Sequence, residues 1–309
     1  MSWFKLSVSL VCLLFGSAAV AWDSQRASVP LIVDGRLVPY KVFAIYLMPG
    51  QIFSVQFQVQ ATPGRYVFAG QEGQLGVSEL VAPMKPGLYV MIIQSDLESD
   101  ARQLNVFVMV PAVQQTNEYK LNGYRIGAYP ATPYKGLDAY KAPQGFVEVT
   151  QENQNTLVSP NFRIRQFLAK QDQGFPKYLV LKANLLLKLE NVLGSLNRNV
   201  RPVKGFTIMS GYRTPWYNRA IGNVPNSRHV FGGAADFYID DHPKDGQMDD
   251  MNGDGKIDKQ DARWLAAYVS DMSQRGEFGK RIGGIGVYGR NSAHGPFVHV
   301  DVRGSRARW

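Results

Sequence analysis

Cysteine is nearly absent from this 309-residue sequence: the single cysteine, Cys12, lies within the first 21 residues. Those residues are predicted to be a signal peptide, because Lys5 precedes an apolar run over residues 6–15 and residues 19–21 form a small-x-small cleavage site. A mature chain without cysteine forms no disulfide, so apolar cores or bound metals must stabilise it. We expect an exported protein, either periplasmic or secreted.

Long hydrophobic runs are also missing. The run over residues 6–15 is too short for a transmembrane helix and no other stretch is long enough, so we expect no membrane span. Acidic residues are fewer than basic ones, 25 against 34, and the formal net charge is +9. Such an excess favours anionic partners. No nucleic-acid recognition motif accompanies it, so we expect no nucleic-acid partner.

Residues 22–111 have the pattern of a small all-β domain. Phe53, Val55 and Phe57 alternate with polar residues, which is typical of a half-buried strand, and Pro-Gly pairs mark turns between such runs. Several short strands at this spacing predict an immunoglobulin-like β-sandwich. This region contains no histidine. We interpret it as a spacer or a docking module for an unknown partner, with direct substrate binding as the alternative.

Residues 112–156 are predicted to be a connector rich in tyrosine, proline and glycine. Its tyrosines either attach it to a neighbouring domain or stack on sugar rings; the first is the commoner arrangement.

In residues 157–309, Ser159 followed by Pro160 predicts a helix start. Apolar spacing predicts a core helix over about residues 177–196 and another over about 262–274.

Histidine is scarce, and all four histidines lie between His229 and His299. His229 and Asp236 are separated by a spacer that contains two glycines and two alanines, which lets the backbone fold tightly around a ligand. His299 lies on an apolar, strand-like run. Two imidazoles and one carboxylate are ligands typical of catalytic zinc, with the fourth position left for water.

These motifs resemble a known family. Ser-x-His-x-x-Gly-x-Ala-x-Asp ending at Asp236, the preceding Ser-Gly-Tyr-Arg ending at Arg213, and the late Phe-Val-His-x-Asp are similar to the D-alanyl-D-alanine metallopeptidases. These are zinc peptidases of bacterial cell-wall peptides that share a fold with the hedgehog signalling domain. The resemblance covers about residues 159–309. It implies an α+β zinc peptidase domain in which His229, Asp236 and His299 bind zinc.

The implied activity is hydrolysis of peptide bonds in peptidoglycan stem peptides or cross-links by zinc-activated water, as a D,D-carboxypeptidase or a murein endopeptidase. Arg213 is the candidate cation for the developing oxyanion. The general base is open between His294 and Asp301, because Pro296 and Phe297 occupy positions where many relatives carry a base. Asp301 could equally orient a metal ligand. This departure supports the alternative, a zinc-containing module that binds wall peptides without cleaving them.

An insertion over residues 240–262 carries its own motif. The sequence from Asp250 to Asp261 matches the calcium loop of EF-hands, with aspartate where an EF-hand has glutamate at the twelfth position. The predicted calcium ligands are the side chains of Asp250, Asn252, Asp254, Asp258 and Asp261, with the backbone carbonyl of Lys256. We expect a structural calcium ion there, with an acidic surface loop as the alternative.

Overall fold

The computed structural model describes residues 24–309 apart from 60–62, 77–78 and 97–100. The predicted signal peptide, with Cys12, therefore lies outside the described residues. The chain is a mixed α+β protein in which an all-β N-terminal region precedes a region of helices and sheets. None of the helices in the described ranges has the length and apolar character needed to cross a bilayer.

Two main sheets form the N-terminal region. Its strands are β1 (Arg26–Val33), β2 (Arg36–Tyr40), β3 (Val42–Leu47), β4 (Ile52–Phe53), β5 (Val55–Phe57), β6 (Gly64–Phe68), β7 (Gln71–Gln74), β8 (Leu80–Val81), β9 (Gly87–Ser95) and β10 (Arg102–Val108). One sheet has the order β2-β1-β5 and the other β3-β10-β9-β6-β7; β4 pairs with β8. The predicted alternation holds, since Phe53, Val55 and Phe57 are all buried.

The remaining chain contains three α-helices and twelve further strands within the described residues. They are β11 (Val110–Pro111), β12 (Lys120–Leu121), β13 (Tyr124–Arg125), β14 (Gly145–Val149), β15 (Leu157–Ser159), β16 (Phe162–Arg163), β17 (Lys177–Leu179), α1 (Ala183–Asn199), β18 (Thr207–Ser210), α2 (Pro215–Ala220), β19 (Ala234–Tyr238), α3 (Lys259–Gln274), β20 (Gly284–Tyr288), β21 (Phe297–Asp301) and β22 (Ala307–Arg308). A five-stranded sheet of order β18-β19-β21-β20-β22 positions the functional site.

Two helix predictions need correction and one is confirmed. The predicted helix start at Ser159 is wrong: Leu157–Ser159 is a strand that pairs with β16. The predicted 177–196 helix begins only at Ala183, because Lys177–Leu179 pairs with β14 in a sheet instead. The helix predicted over 262–274 is present and begins slightly earlier, at Lys259, where Asp258 caps it.

Tyrosines attach the connector to the region that follows. Tyr124 and Tyr140 are buried, and the Tyr129 hydroxyl lies 2.8 Å from the Tyr212 hydroxyl and 2.9 Å from the carbonyl oxygen of Val230, to which it donates. This is the first of the two roles considered for these residues.

One hydrophobic cluster joins the N-terminal sheets to the α+β region, extending from Leu31 to Val300. Polar contacts cross the same boundary: the Asn105 amide donates to the carbonyl oxygen of Leu157 at 2.7 Å, and Arg36 donates to the Asn184 side chain at 3.1 Å. The two regions therefore stabilise each other.

Candidate metal centre

Strand pairing brings the three predicted zinc ligands together. Asp236 in β19 is the direct partner of His299 in the antiparallel neighbour β21, so both side chains lie on one face of the sheet. His229 lies on a short 3-10 turn just before β19. Gly232 ends that turn with φ +64°, and a Cβ there would lie 2.3 Å from the carbonyl oxygen of Val180. Only glycine permits this tight turn of the backbone, which places His229 over the paired ligands Asp236 and His299.

The ligand atoms converge on one point. His229 Nε2 lies 3.1 Å from Asp236 Oδ1 and 3.1 Å from His299 Nδ1, and the last two atoms are 2.8 Å apart. Ligands at about 2.0–2.1 Å around a tetrahedral zinc lie roughly 3.3 Å from one another. All three residues are buried. Among the described residues, this is the one group of three or more histidine, cysteine or acidic side chains that could hold a metal.

Hydrogen bonds outside the centre fix which ring nitrogens face it. His229 Nδ1 lies 2.6 Å from the carbonyl oxygen of Gly211, which can only accept, so Nδ1 carries the proton and Nε2 presents a lone pair. His299 Nε2 faces Asp301 Oδ2 at 3.4 Å, which leaves Nδ1 toward the centre. Two imidazole nitrogens and a carboxylate oxygen thus meet, and a cation between them would be bound by all three. The donor set fits zinc.

The pKa shifts of the three ligand residues agree with a metal-binding role. Burial alone would raise the pKa of Asp236, but the two imidazoles outweigh it and hold that pKa well below its usual range. Burial lowers the pKa of His229 and favours its neutral form. At His299 burial also acts to lower the pKa, but Asp236 and Asp301 outweigh it and raise the pKa. Metal binding therefore competes with protonation of His299.

Arg213 lies closer to the metal ligands than sequence reasoning suggested. Its Nη2 donates to Asp236 Oδ2 at 2.6 Å, and its Nε donates to Ser210 Oγ at 2.9 Å. The candidate oxyanion cation is therefore also the partner that orients the carboxylate ligand. The Ser-Gly-Tyr-Arg motif contained the signal, because Ser210 ends β18 beside β19 and Arg213 follows it three residues later.

Asp301 lies behind His299. It is fully buried, accepts from the backbone N–H groups of Gly284 and Arg303 at 3.0 Å each, and forms an ion pair with the Arg303 guanidinium. Burial acts to raise the pKa of Asp301, but His299 and Arg303 outweigh it and keep that pKa low. These contacts suit the orienting role rather than the general base.

His294 lines the same cleft as the ligands, but neighbouring groups occupy both of its ring nitrogens. Nε2 lies 2.8 Å from the Asn291 amide nitrogen and Nδ1 lies 2.8 Å from the carbonyl oxygen of Gly295. Its ring packs edge-on against Phe297. A role in proton transfer would require His294 to release one of these partners.

The predicted calcium loop is closed by its own hydrogen bonds. Asp250 accepts from the N–H groups of Gly253 at 2.7 Å and Gly255 at 2.8 Å. The side chains of Asn252 and Asp254 accept from the backbone of Asp254 and Lys256, and Asp258 caps Gln260. Asp261, expected as the twelfth-position ligand, is fully buried and accepts from Met251, Asn252 and Asp258. The loop carboxylates do not form a group of three with converging ligand atoms.

A cleft of about 710 Å³ opens over the metal centre. Three arginines, Arg213, Arg228 and Arg303, line it, while Asp236 is the one carboxylate among its described lining residues. Tyr288, Phe297 and Trp309 form an aromatic side. The surroundings of the metal centre are therefore cationic on balance and suit a negatively charged ligand.

Comparison with known families agrees with this geometry. Residues 143–255 match the family model described as Peptidase M15. The match begins inside the predicted connector and includes His229 and Asp236; His299 lies beyond it, and the structure places that residue beside them. No curated protein sequence matches the chain. Residues 143–255 thus contain a Peptidase M15 family domain of the D-Ala-D-Ala carboxypeptidase type, a metallopeptidase and hence a hydrolase; its His229 and Asp236, together with His299 beyond the matched residues, form the candidate metal site.

Proposed function

We propose that this protein is an exported zinc peptidase that hydrolyses peptide bonds in peptidoglycan stem peptides or cross-links, as a D,D-carboxypeptidase or a murein endopeptidase. The observation that carries the proposal is the convergence of His229, Asp236 and His299 at the base of a cleft, within a Peptidase M15 domain. Stem peptides carry free carboxylates, which suit a cleft lined by three arginines.

The reaction divides between the metal and the chain. Zinc, when bound, supplies Lewis acidity and a water nucleophile at neutral pH. Arg213 is held by Ser210 and Asp236, and its Nη1 makes no hydrogen bond within the described residues, so it is free to donate to the carbonyl oxygen under attack. Oxyanion donors of this kind contribute on the order of 10²–10³ in rate.

Proton transfer falls to His294 in this proposal. It lines the cleft, whereas Asp301 is buried behind His299. His294 would exchange its contact with Asn291 for one with the attacking water, and then deliver the proton to the leaving amine.

The alternative function is a zinc-containing module that binds wall peptides without cleaving them. Incubating the mature protein with purified peptidoglycan and separating the released muropeptides distinguishes the two functions and identifies the bond that is cut. His229→Ala is the matched inactive control, and elemental analysis should show that it has lost most of its zinc. A fully zinc-loaded wild-type protein that binds peptidoglycan but releases no fragment would establish the alternative.

Three finer assignments belong to the same proposal. We infer that the signal peptide ends at residue 21, so N-terminal sequencing of exported protein should begin at Trp22. We infer an immunoglobulin-like sandwich from the two N-terminal sheets and their shared core; an experimental structure without a Greek-key strand order would exclude it. We infer a calcium ion in the loop from Asp250 to Asp261, supported by its ligand spacing and by the positive φ of Gly255.

A further inference from the structure

A glycine-rich strand leaves one side of the metal centre without side chains of its own. Gly284 and Gly286 lie in β20, and Gly286 is the direct partner of His299. Side chains on these positions would share the face that carries His299 and Asp301. A Cβ on Gly286 would lie 2.4 Å from Trp309 Nε1, and one on Gly284 would lie 2.5 Å from Asp301 Oδ2 and 2.8 Å from the far end of the same indole ring. The glycines therefore make room for Trp309.

Backbone and side-chain contacts fix that indole ring. The Val287 N–H donates to the carbonyl oxygen of Trp309 at 3.0 Å, which holds residue 309 alongside β20. The indole ring centroid lies 5.2 Å from the ring centroid of His299, and the central carbon of the Arg303 guanidinium lies 5.3 Å from the Trp309 ring centroid. Even so, 48% of Trp309 stays exposed, and it lines the cleft. A large aromatic surface held in place and left open beside a reactive centre is typical of a ligand contact.

Tyr288 continues this surface along the same face of β20. Trp309 Nε1 donates to the Tyr288 hydroxyl at 2.7 Å, so the tyrosine oxygen accepts and keeps its own proton. The Tyr288 ring is stacked on Phe297, with centroids 4.6 Å apart and an interplanar angle of 6°. The hydroxyl proton has no acceptor within the described residues. It is available to an acceptor in the cleft, such as a peptide carbonyl oxygen.

We propose that Trp309 and Tyr288 form a substrate subsite, in which the indole packs against a small aliphatic side chain such as that of D-alanine and the Tyr288 hydroxyl donates to a carbonyl of the same peptide. This deepens the proposed function and rests on it. The subsite lies on the β20 side of the metal, whereas Arg213 approaches from the β18 side. A bound peptide therefore crosses the sheet with its scissile bond between the two.

Peptide affinity tests the subsite independently of turnover. The probe is the stem pentapeptide L-Ala-γ-D-Glu-meso-diaminopimelyl-D-Ala-D-Ala, titrated by calorimetry into the zinc-free mature protein, which cannot cleave it. Tyr288→Phe keeps the ring stacked on Phe297 and removes one hydrogen bond, so its affinity should fall about three- to tenfold. Tyr238→Phe is the matched control, because its hydroxyl donates to Gly246 outside the cleft, and it should bind like the wild type.

Two further variants address the ring itself. Trp309→Ala should weaken binding by about tenfold or more. Gly286→Ala should also weaken binding, because its methyl group displaces the indole ring without removing it. Zinc content and melting temperature are measured for each, and Gly286→Ala is decisive if Trp309→Ala does not fold. If Tyr288→Phe and at least one folded ring variant bind the peptide with wild-type affinity, the subsite is overturned. The proposed function is left intact by that result. A zinc-loaded wild-type protein that neither binds nor cleaves the stem peptide removes both.

Discussion

Replacing Arg213 should weaken zinc binding as well as catalysis. In the structure Arg213 donates to Asp236 Oδ2 at 2.6 Å, and both side chains are largely buried, 13% and 4% exposed. Partners that orient a metal ligand are typically worth 10–100-fold in metal affinity, which corresponds to about 1.4–2.7 kcal/mol. Arg213→Ala should therefore raise the zinc Kd by about 10–100-fold, measured by competition with a chromophoric chelator.

Activity at saturating zinc then isolates the second role of Arg213. With the metal site filled, kcat/KM should still fall by on the order of 10²–10³ if Nη1 stabilises the oxyanion. Ser210→Ala is the informative companion: it removes the contact to Nε but keeps the guanidinium and its bond to Asp236. It should change zinc affinity little. An unchanged zinc Kd in Arg213→Ala would refute the orienting role, and near-normal turnover at saturating zinc would refute the oxyanion role.

Three further outcomes are expected. Because Asp236 and Asp301 outweigh burial and raise the pKa of His299, a proton competes with zinc for that ring. Zinc affinity should therefore fall by about tenfold per pH unit as the pH is lowered below the raised pKa, and Asp301→Asn should move the onset of this loss to lower pH. Calcium should raise the melting temperature and protect residues 250–261 from proteolysis, and Asp254→Ala should abolish both effects; calorimetry without a calcium signal at millimolar concentration would exclude the site. A truncation starting at residue 112 should fold but melt at a lower temperature than the intact protein, because it exposes the core shared with β3; an unfolded product would show one integrated unit.

The metal centre could be predicted from sequence because its chemistry is local. The spacer between His229 and Asp236 is made of small residues, and those ligand types suit zinc whatever surrounds them. His299 required only the inference that a strand-like run lies next to Asp236, and the strand pairing of these two residues provides this. The outer contacts were not predictable, because they depend on register. A one-residue slip of β20 would place Gly286 and Tyr288 on the other face.

Local signals failed where sheet pairing outweighed them. Ser159 with Pro160 has the composition of a helix start, yet Leu157–Ser159 forms a strand and Ser159 is buried. The loop over residues 250–261 shows the same limit in another form. Spacing predicts calcium ligands in this loop, but it does not reveal that Asp261 is buried and bonded to the loop backbone. The sequence does contain a sign of the Trp309 contact: glycines at 284 and 286 remove two side chains from one face of a strand and so leave space for another residue to pack there.

Each metal ligand is held by a separate anchor outside the metal centre. The carbonyl oxygen of Gly211 fixes His229, Arg213 fixes Asp236, and Asp301 fixes His299. Because every ligand already has its second polar atom bound, zinc can enter with only small movements of the ligand side chains. The anchors also divide the cleft: Arg213 occupies the β18 side, and the Arg303 partner of Asp301 covers Trp309 on the β20 side. The contacts that hold the metal ligands thus also determine which groups a bound peptide meets on either side of its scissile bond.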